Sequence, residues 1–272
     1  MSKNKLVALG TLIALASGGG GVRAASDKIV GSFAAPATVI SGLAYGENVL
    51  FLSDPLNMTV FRLDPASGSV LSSFTPTPAP GAGFAGLAYN GGYLWGNTPV
   101  GTYRLFKMNP ATGSVVASFA LAGISSPEGL AADATYVYVS NNDPNATRIF
   151  KLNQSNGSLV ASWNVLTKYP GGLDPILHVP TSTPVLLNVG TVGGWTYIYD
   201  LFGVVRAGEE FKIDVPCPPS NYVGDLAAKD DTHFYFASTY LKAVYELELD
   251  WNGQEYFNVA PRSFGKIKAL YR

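Results

Sequence analysis

The stretch Ala85-Gly-Leu-Ala-Tyr89, Asn90-Gly-Gly92, Tyr93-Leu-Trp95, Tyr103-Arg-Leu-Phe-Lys-Met108, Asn109-Pro-Ala-Thr-Gly113 and Ser114-Val-Val-Ala-Ser-Phe119 holds one whole structural unit. Its apolar residues alternate with a period of two, and the runs are short and closed by Gly, Asn and Pro, so they predict strands. Four strands in succession make a meander.

The unit recurs along the chain. Leu43, Leu87, Leu130, Leu173 and Leu226 each follow Gly or Asp, at intervals of 44, 43, 43 and 53, and an echo, Ile267-Lys-Ala-Leu270-Tyr, lies 44 further on. The turn between third and fourth strands reads Asp64-Pro-Ala-Ser-Gly68, Asn109-Pro-Ala-Thr-Gly113, Asn153-Gln-Ser-Asn-Gly157, Asp200-Leu-Phe-Gly203 and Asp250-Trp-Asn-Gly253. Asp or Asn bonds its own backbone at the entry, and Gly takes a positive φ at the exit. These are hairpin loops.

Residue size selects the architecture. First strands carry Gly and Ala (Gly42, Ala44, Gly86, Ala88, Gly129, Ala131, Gly172, Ala227), and later strands carry Trp95, Tyr138, Phe150, Trp163, Trp195, Phe234 and Tyr245. Slender strands suit an axis and bulky ones suit the space between diverging sheets. A period in the forties with four strands predicts an all-β propeller of five four-stranded blades, with six blades, one incomplete, as the alternative. Lys28-Ile-Val-Gly-Ser-Phe33 copies the fourth strand (compare Val70-Leu-Ser-Ser-Phe74), so the ring is expected to close with strands from both termini and leave no free edge there.

Met1-Ser-Lys-Asn-Lys5, the apolar run from Leu6 to Ala16 and the exit Val22-Arg-Ala-Ala-Ser26 predict a signal peptide over 1–25, leaving 26–272 as a single propeller domain. The apolar run is about half of what spans a bilayer. A secreted protein, extracellular or periplasmic, without a membrane span after cleavage and monomeric, is the expectation. Without Lys3, Lys5 and Arg23, 15 basic residues face 19 acidic ones with no basic stripe, which argues against nucleic acid as a partner. Cys217 stands alone in Val215-Pro-Cys-Pro-Pro219, so no internal disulfide can form, and an inert apolar role is expected for it.

The pattern Ser125-Ser-Pro-Glu-Gly-Leu-Ala-Ala-Asp133, Tyr136-Val-Tyr-Val-Ser140, Arg148-Ile-Phe-Lys-Leu-Asn153, Leu159-Val-Ala-Ser-Trp163 resembles NHL-type propeller repeats. Together with the Asp-Pro-x-x-Gly turns, the run 86–95 is also similar to secreted bacterial propellers of the glutaminyl cyclotransferase type. The likeness covers nearly all of the chain after the signal peptide and implies a blade architecture. No Trp-Asp dipeptide of the WD40 kind occurs. The Asn-Glu-Leu-Glu type stretch that carries the acidic residue of the cyclotransferases has no counterpart, and the only histidines, His178 and His233, would have to serve as the base of a virginiamycin B lyase-like site.

A polar residue follows each second strand: Asp54, Asn97, Asn141, Asn188 and Thr239. Such a recurrence predicts a rim around the channel where oxygens converge on a small ligand or on calcium, as in calcium-dependent lactonase propellers; ordinary strand termination is the competing reading. Asn141-Asn-Asp-Pro-Asn145 is a second calcium candidate, with an Asx-rich turn as its alternative. Asp174 and His178, four apart on a strand, share a face about 13 Å apart, too far to act as a pair. No nucleophile elbow, paired-Cys zinc site or phosphate loop is present, and no cofactor is called for. Asn57, Asn145, Asn153 and Asn156 fit the glycosylation sequon. Trp95, Trp163, Trp195 and Trp251 are candidate anchors, with inter-blade packing expected for all but Trp251. The first functional reading is a binding module for a protein, peptide or glycan, and the alternative is a channel-site hydrolase or cyclotransferase.

Overall fold

The computed structural model describes residues 26–166, 170–178, 182–190, 195–206, 211–213 and 224–251. The expected signal peptide, Cys217 and the echo at 267–271 lie outside them, as do the side chains of His178 and Trp195.

Twenty strands form five antiparallel sheets of four. Blade 1 is β2 (Leu43–Gly46), β3 (Val49–Asp54), β4 (Thr59–Leu63) and β5 (Val70–Phe74). Blade 2 is β6 (Gly86–Asn90), β7 (Tyr93–Asn97), β8 (Arg104–Met108) and β9 (Val115–Ala120). Blade 3 is β10 (Pro127–Ala132), β11 (Tyr136–Asn141), β12 (Arg148–Asn153) and β13 (Leu159–Asn164). Blade 4 is β14 (Pro170–His178), β15 (Thr183–Gly190), β16 (Trp195–Asp200) and β17 (Phe211–Lys212). Blade 5 takes β18 (Leu226–Ala228), β19 (His233–Ser238) and β20 (Ala243–Asp250) from the end of the chain and its outermost strand, β1 (Ser26–Ala34), from the beginning.

The ring therefore has five blades, and the N-terminal strand is the missing fourth strand of the last one. Strand β1 pairs with β20 from Ser26↔Asp250 to Ala34↔Ala243, with one irregularity between Ile29 and Gly31.

The core lies between blades. Five apolar clusters fill the five seams: Leu43, Leu52 and Leu63 meet Tyr235 and Val244 across blades 1 and 5. Phe51 and Val60 meet Leu87 and Phe106 across blades 1 and 2. Trp95 and Leu105 meet Val139 and Phe150 across 2 and 3. Tyr138 and Ile149 meet Leu186 and Tyr199 across 3 and 4, and Leu187 and Ile198 meet Phe234 and Leu247 across 4 and 5. Trp95 is fully buried, as expected of a packing residue. Trp251, expected in the sequence to be free for a ligand, is also packed: it sits half-buried against the blade 4/5 cluster, and its indole N–H donates to the carbonyl of Asp231 at 2.7 Å.

At the periphery a second device repeats. Gly68, Gly113, Gly157 and Gly203 end the third-to-fourth-strand turns with φ between 71° and 91°. A Cβ on them would collide with Phe33, Phe74, Phe119 and Trp163, the aromatic near the end of the preceding blade's outer strand. The turn glycine serves both backbone handedness and inter-blade packing.

Candidate functional site at the hub

First strands begin, and second strands end, at the same end of the ring, so the second-to-third-strand loops and the inter-blade linkers share that end with the mouth of the hub. Register between first and second strands shows which residues are equivalent there. Leu43↔Leu52, Leu87↔Gly96, Leu130↔Val139, Leu173↔Asn188 and Leu226↔Phe236 correspond.

On that register the five polar residues singled out in the sequence occupy four different positions. Asp54 and Asn141 are equivalent, Asn97 is one step earlier, Asn188 two earlier and Thr239 one later. Because side chains alternate along a strand, a single step reverses the face. The residues equivalent to Asn97 are Ser53 and Ser140, and these three form a clasp. Ser53 Oγ accepts the N–H of Gly42 at 2.7 Å and donates to Phe84 O of blade 2 at 2.9 Å. Asn97 Oδ1 accepts from Gly86 N at 2.8 Å while its Nδ2 donates to Glu128 O of blade 3 at 3.0 Å. Ser140 Oγ accepts from Gly129 N at 2.8 Å and donates to Gly171 O of blade 4 at 2.8 Å.

The remaining residues are committed locally. The Asp54 carboxylate accepts from Thr38 N at 2.7 Å, from the N–H of Leu56 and of Asn57, and from Asn57 Nδ2 at 2.9 Å. Burial pushes its pKa up, but these donors outweigh it and hold the carboxyl below its ordinary value. Asn141 accepts from Ser125 N and Ser126 N and donates to Ala146 O. Asn188 donates to Gly172 O at 3.2 Å, and Thr239 Oγ1 donates to Ile40 O, linking blade 5 to blade 1. In the 141–145 loop, Asp143 accepts from Asn145 N and Ser125 Oγ, an Asx turn. Among the described residues no group of three His, Cys, Asp or Glu is placed to hold a metal ion.

The hub itself is built from the position before each first-strand Leu: Gly42, Gly86, Gly129, Gly172 and Asp225. A Cβ on any of the four glycines would come under 3.0 Å from a neighbouring blade's atoms, at Gly172 from the Asp225 carboxylate. The fifth position holds the one side chain. Asp225 is buried, and its Oδ2 accepts the N–H of Leu43 at 2.9 Å and of Leu87 at 3.4 Å, while Oδ1 accepts its own neighbour Leu226 N at 3.0 Å. One carboxylate thus ties blades 5, 1 and 2.

Two further acids surround it. Asp174, on β14, accepts the N–H of Ala228 across the blade 4/5 seam. Glu128, on β10, lines with Ser41, Ala85, Gly129, Gly172, Gly224 and Asp225 a cavity of about 10 Å³, the size at which one water fits. Burial raises all three carboxyls: Asp174 to about 8, Asp225 well above its ordinary value despite its three N–H donors and with the Asp174 charge adding to the rise, and Glu128 in spite of a side-chain bond from Asn142. Burial thus sets the hub carboxyls apart from those of the surface.

No protein-family model matches this chain, and no curated sequence does. Among solved structures, a glutaminyl cyclase from Myxococcus xanthus is similar over 84% of this chain and 98% of its own, with a TM-score of 0.64 at 14% identity. The PQQ-bound aldose sugar dehydrogenase from Streptomyces coelicolor is similar over 83% of this chain and 98% of its own, with a TM-score of 0.53 at 12% identity. At such identities the likeness is one of fold, and a propeller carries many functions.

Proposed function

We propose that this protein is a secreted binding module that takes a protein, peptide or glycan on the end of the ring that carries the inter-blade linkers and the second-to-third-strand loops. The observation that carries the reading is the chemical difference between the two ends. The loop end exposes Leu56, Met58, Val100, Leu166 and Tyr240, drawn from four of the five blades, among Pro, Thr and Gly with few charges. The opposite end, where Phe202 and Val204 of one turn are exposed, is otherwise set with turn acids, Glu47, Asp64, Asp133, Asp200, Asp230 and Asp231, interspersed with Lys107, Lys151 and Lys229. Apolar side chains gathered on one end of a rigid ring suit a partner that covers them. Peptide and glycan arrays probed with the chain and with a Leu56→Asp/Val100→Asp/Leu166→Asp/Tyr240→Asp variant test this: retained ligands lost by the variant support the reading, and ligands retained equally by both overturn it.

One observation favours a second reading, a channel-site hydrolase or cyclotransferase. Glu128 and Asp225 face one cavity at the hub mouth, and burial raises the pKa of both carboxyls, the direction a general acid needs. No step is routed through calcium, because the oxygens of Asp54, Asn97 and Asn141 already serve hydrogen-bond donors. Turnover of a lactone or of an N-terminal-Gln peptide, abolished by Glu128→Gln, would establish this reading in place of the first.

A further inference from the structure

The five exposed apolar residues of the loop end are not evenly joined. Two of its loops are stitched into one continuous surface at the seam where the chain closes on itself. The linker 35–41 is bonded to the 239–242 loop through Ala35 N to Lys242 O at 2.9 Å and Thr239 Oγ1 to Ile40 O. The same linker is bonded to the 54–58 loop through Thr38 N to Asp54 Oδ2 at 2.7 Å and Asn57 Nδ2 to Thr38 Oγ1 at 3.3 Å. Leu56 is 67% exposed, Tyr240 53% and Met58 38%, and all three stand on this stitched surface.

Among the described non-glycine residues of the loop end, positive φ falls in these same loops, the other instances, Glu47, Asn48 and Ser182, lying in turns at the opposite end. Met58 has φ 51° and Lys242 φ 49°, in the left-handed region that disfavours both side chains. In blade 2 the corresponding loop takes its positive φ, 75°, at Gly101. Carrying Met and Lys where glycine is the unstrained choice marks the side chains themselves as the reason.

Charge then narrows the partner. The Asp54 carboxylate is buried beneath its donors, and Lys242 is the only other charged side chain of the surface. No acidic group among the described residues pairs with the Lys242 ammonium, whereas at the far end of the ring the turn acids outnumber Arg62, Lys107, Lys151 and Lys229. An anionic partner is repelled from that end and drawn to this one. Asn57 spends its amide N–H groups on Asp54 and Thr38 and leaves its Oδ1 as an acceptor for a backbone N–H.

We infer that the seam between blades 5 and 1 binds a peptide segment that presents apolar side chains beside a free carboxylate: Leu56, Met58 and Tyr240 would cover the former, and the Lys242 ammonium would meet the latter. The inference rests on the binding-module reading and is sharper than it.

The test uses the full chain and a bead-displayed library of random octapeptides prepared in two forms, with a free C-terminal carboxylate and with a C-terminal amide. The expected result is retention of apolar sequences in the carboxylate form, with Leu56→Ala, Tyr240→Ala and Lys242→Gln each weakening it at least about tenfold and Phe202→Ala, in a turn at the opposite end of the ring, leaving it unchanged. Melting curves confirm that each variant folds, as exposed positions should. Equal retention of amides, indifference to the three substitutions, or no retention at all would overturn the inference. Binding lost in Val100→Asp but kept in Leu56→Ala and Tyr240→Ala would overturn it while preserving the broader assignment of the loop end, and glycan-array binding without peptide retention would do the same.

Discussion

The Asp225 carboxylate accepts the backbone N–H of Leu43 at 2.9 Å across 182 positions of sequence, so the last blade grips the first at the axis of the ring. The same oxygen reaches Leu87 N, and no other hub position has a side chain to offer. Asp225→Ala leaves the Leu43 and Leu87 amides buried without acceptors and is expected to cost about 2–4 kcal/mol. Asp225→Asn keeps an acceptor oxygen and removes the buried acid, so its cost should be well under half of that. Urea unfolding of the two variants checks the order, and equal losses would contradict the role given to the carboxylate.

The hub acids also set a pH dependence, and its sign runs against the usual one for carboxylates. Asp174 titrates near 8 in the fold and at its ordinary value when unfolded, and Asp225 and Glu128 shift the same way. Between those limits the folded chain binds the protons that the unfolded chain has released, so stability falls as pH rises from about 4 towards 8. Asp54 and Asp230, whose folded values are lowered, act oppositely and lose their contribution in acid below about 4. Melting temperature should therefore peak in mild acid, and Asp174→Asn should flatten its decline towards pH 8. A melting temperature that climbs from pH 5 to 8 would rule this out.

How much of this is legible in the sequence depends on which residues repeat by type and which only by place. Turn glycines and the small first-strand residues recur at fixed spacing and favour five blades over six, while the likeness of Lys28–Phe33 to a fourth strand points to the shared closing blade. The five polar residues match by chemical type more than by register: Asp54 and Asn141 are equivalent, and Asn97, Asn188 and Thr239 each stand at another position. The equivalent set, Ser53, Asn97 and Ser140, mixes a hydroxyl with an amide, and a one-residue bulge-like shift before Leu130 and Leu173 hides the alignment. Asp225 was open to view as the single acid in a column of glycines. That departure was the signal for the hub, and it carries more information than the recurrence beside it.

The clasp yields its own prediction. Asn97→Ala strips an acceptor from Gly86 N and a donor from Glu128 O at a buried seam, which should destabilise by about 1–3 kcal/mol. Asn97→Ser, copying blades 1 and 3, should recover part of the loss. Amide hydrogen exchange at Gly86 reads the local effect: faster exchange in Asn97→Ala and partial protection in Asn97→Ser are expected, and unchanged exchange in both would remove the clasp from the account.

Hub glycines should tolerate no side chain, whereas a half-buried glycine on the outermost strand should. Gly129→Ala drives a methyl into the Gly171 carbonyl, which belongs to the next blade's inner strand and cannot retreat without opening the hub. A cost of at least about 3 kcal/mol is expected, the upper end of overpacking. Gly31→Ala meets Glu246 side-chain atoms only at 3.6 Å and should stay within about 1 kcal/mol of the parent. Similar midpoints for the two variants would show that the axis is less tightly packed than its distances imply.

Closure of the ring rests on a strand that arrives from the far end of the chain. Strand β1 pairs along nearly the whole of β20, and Phe33 packs over Gly68 of blade 1, so one short segment covers an edge and also bridges to the next blade. Deleting residues 1–34 bares the edge of β20, eight residues long with Val244, Leu247 and Leu249 in the core behind it. An edge of that length pairs with any strand it meets, so the truncated chain should melt lower and associate with itself, visible by light scattering. A synthetic peptide of residues 26–36 should restore the parent's light scattering and melting temperature, whereas the same peptide with Phe33→Ala should restore them only in part. A truncated chain that scatters light and melts as the parent does would mean that blade 5 holds together on three strands, and that β1 covers an edge already closed by other contacts.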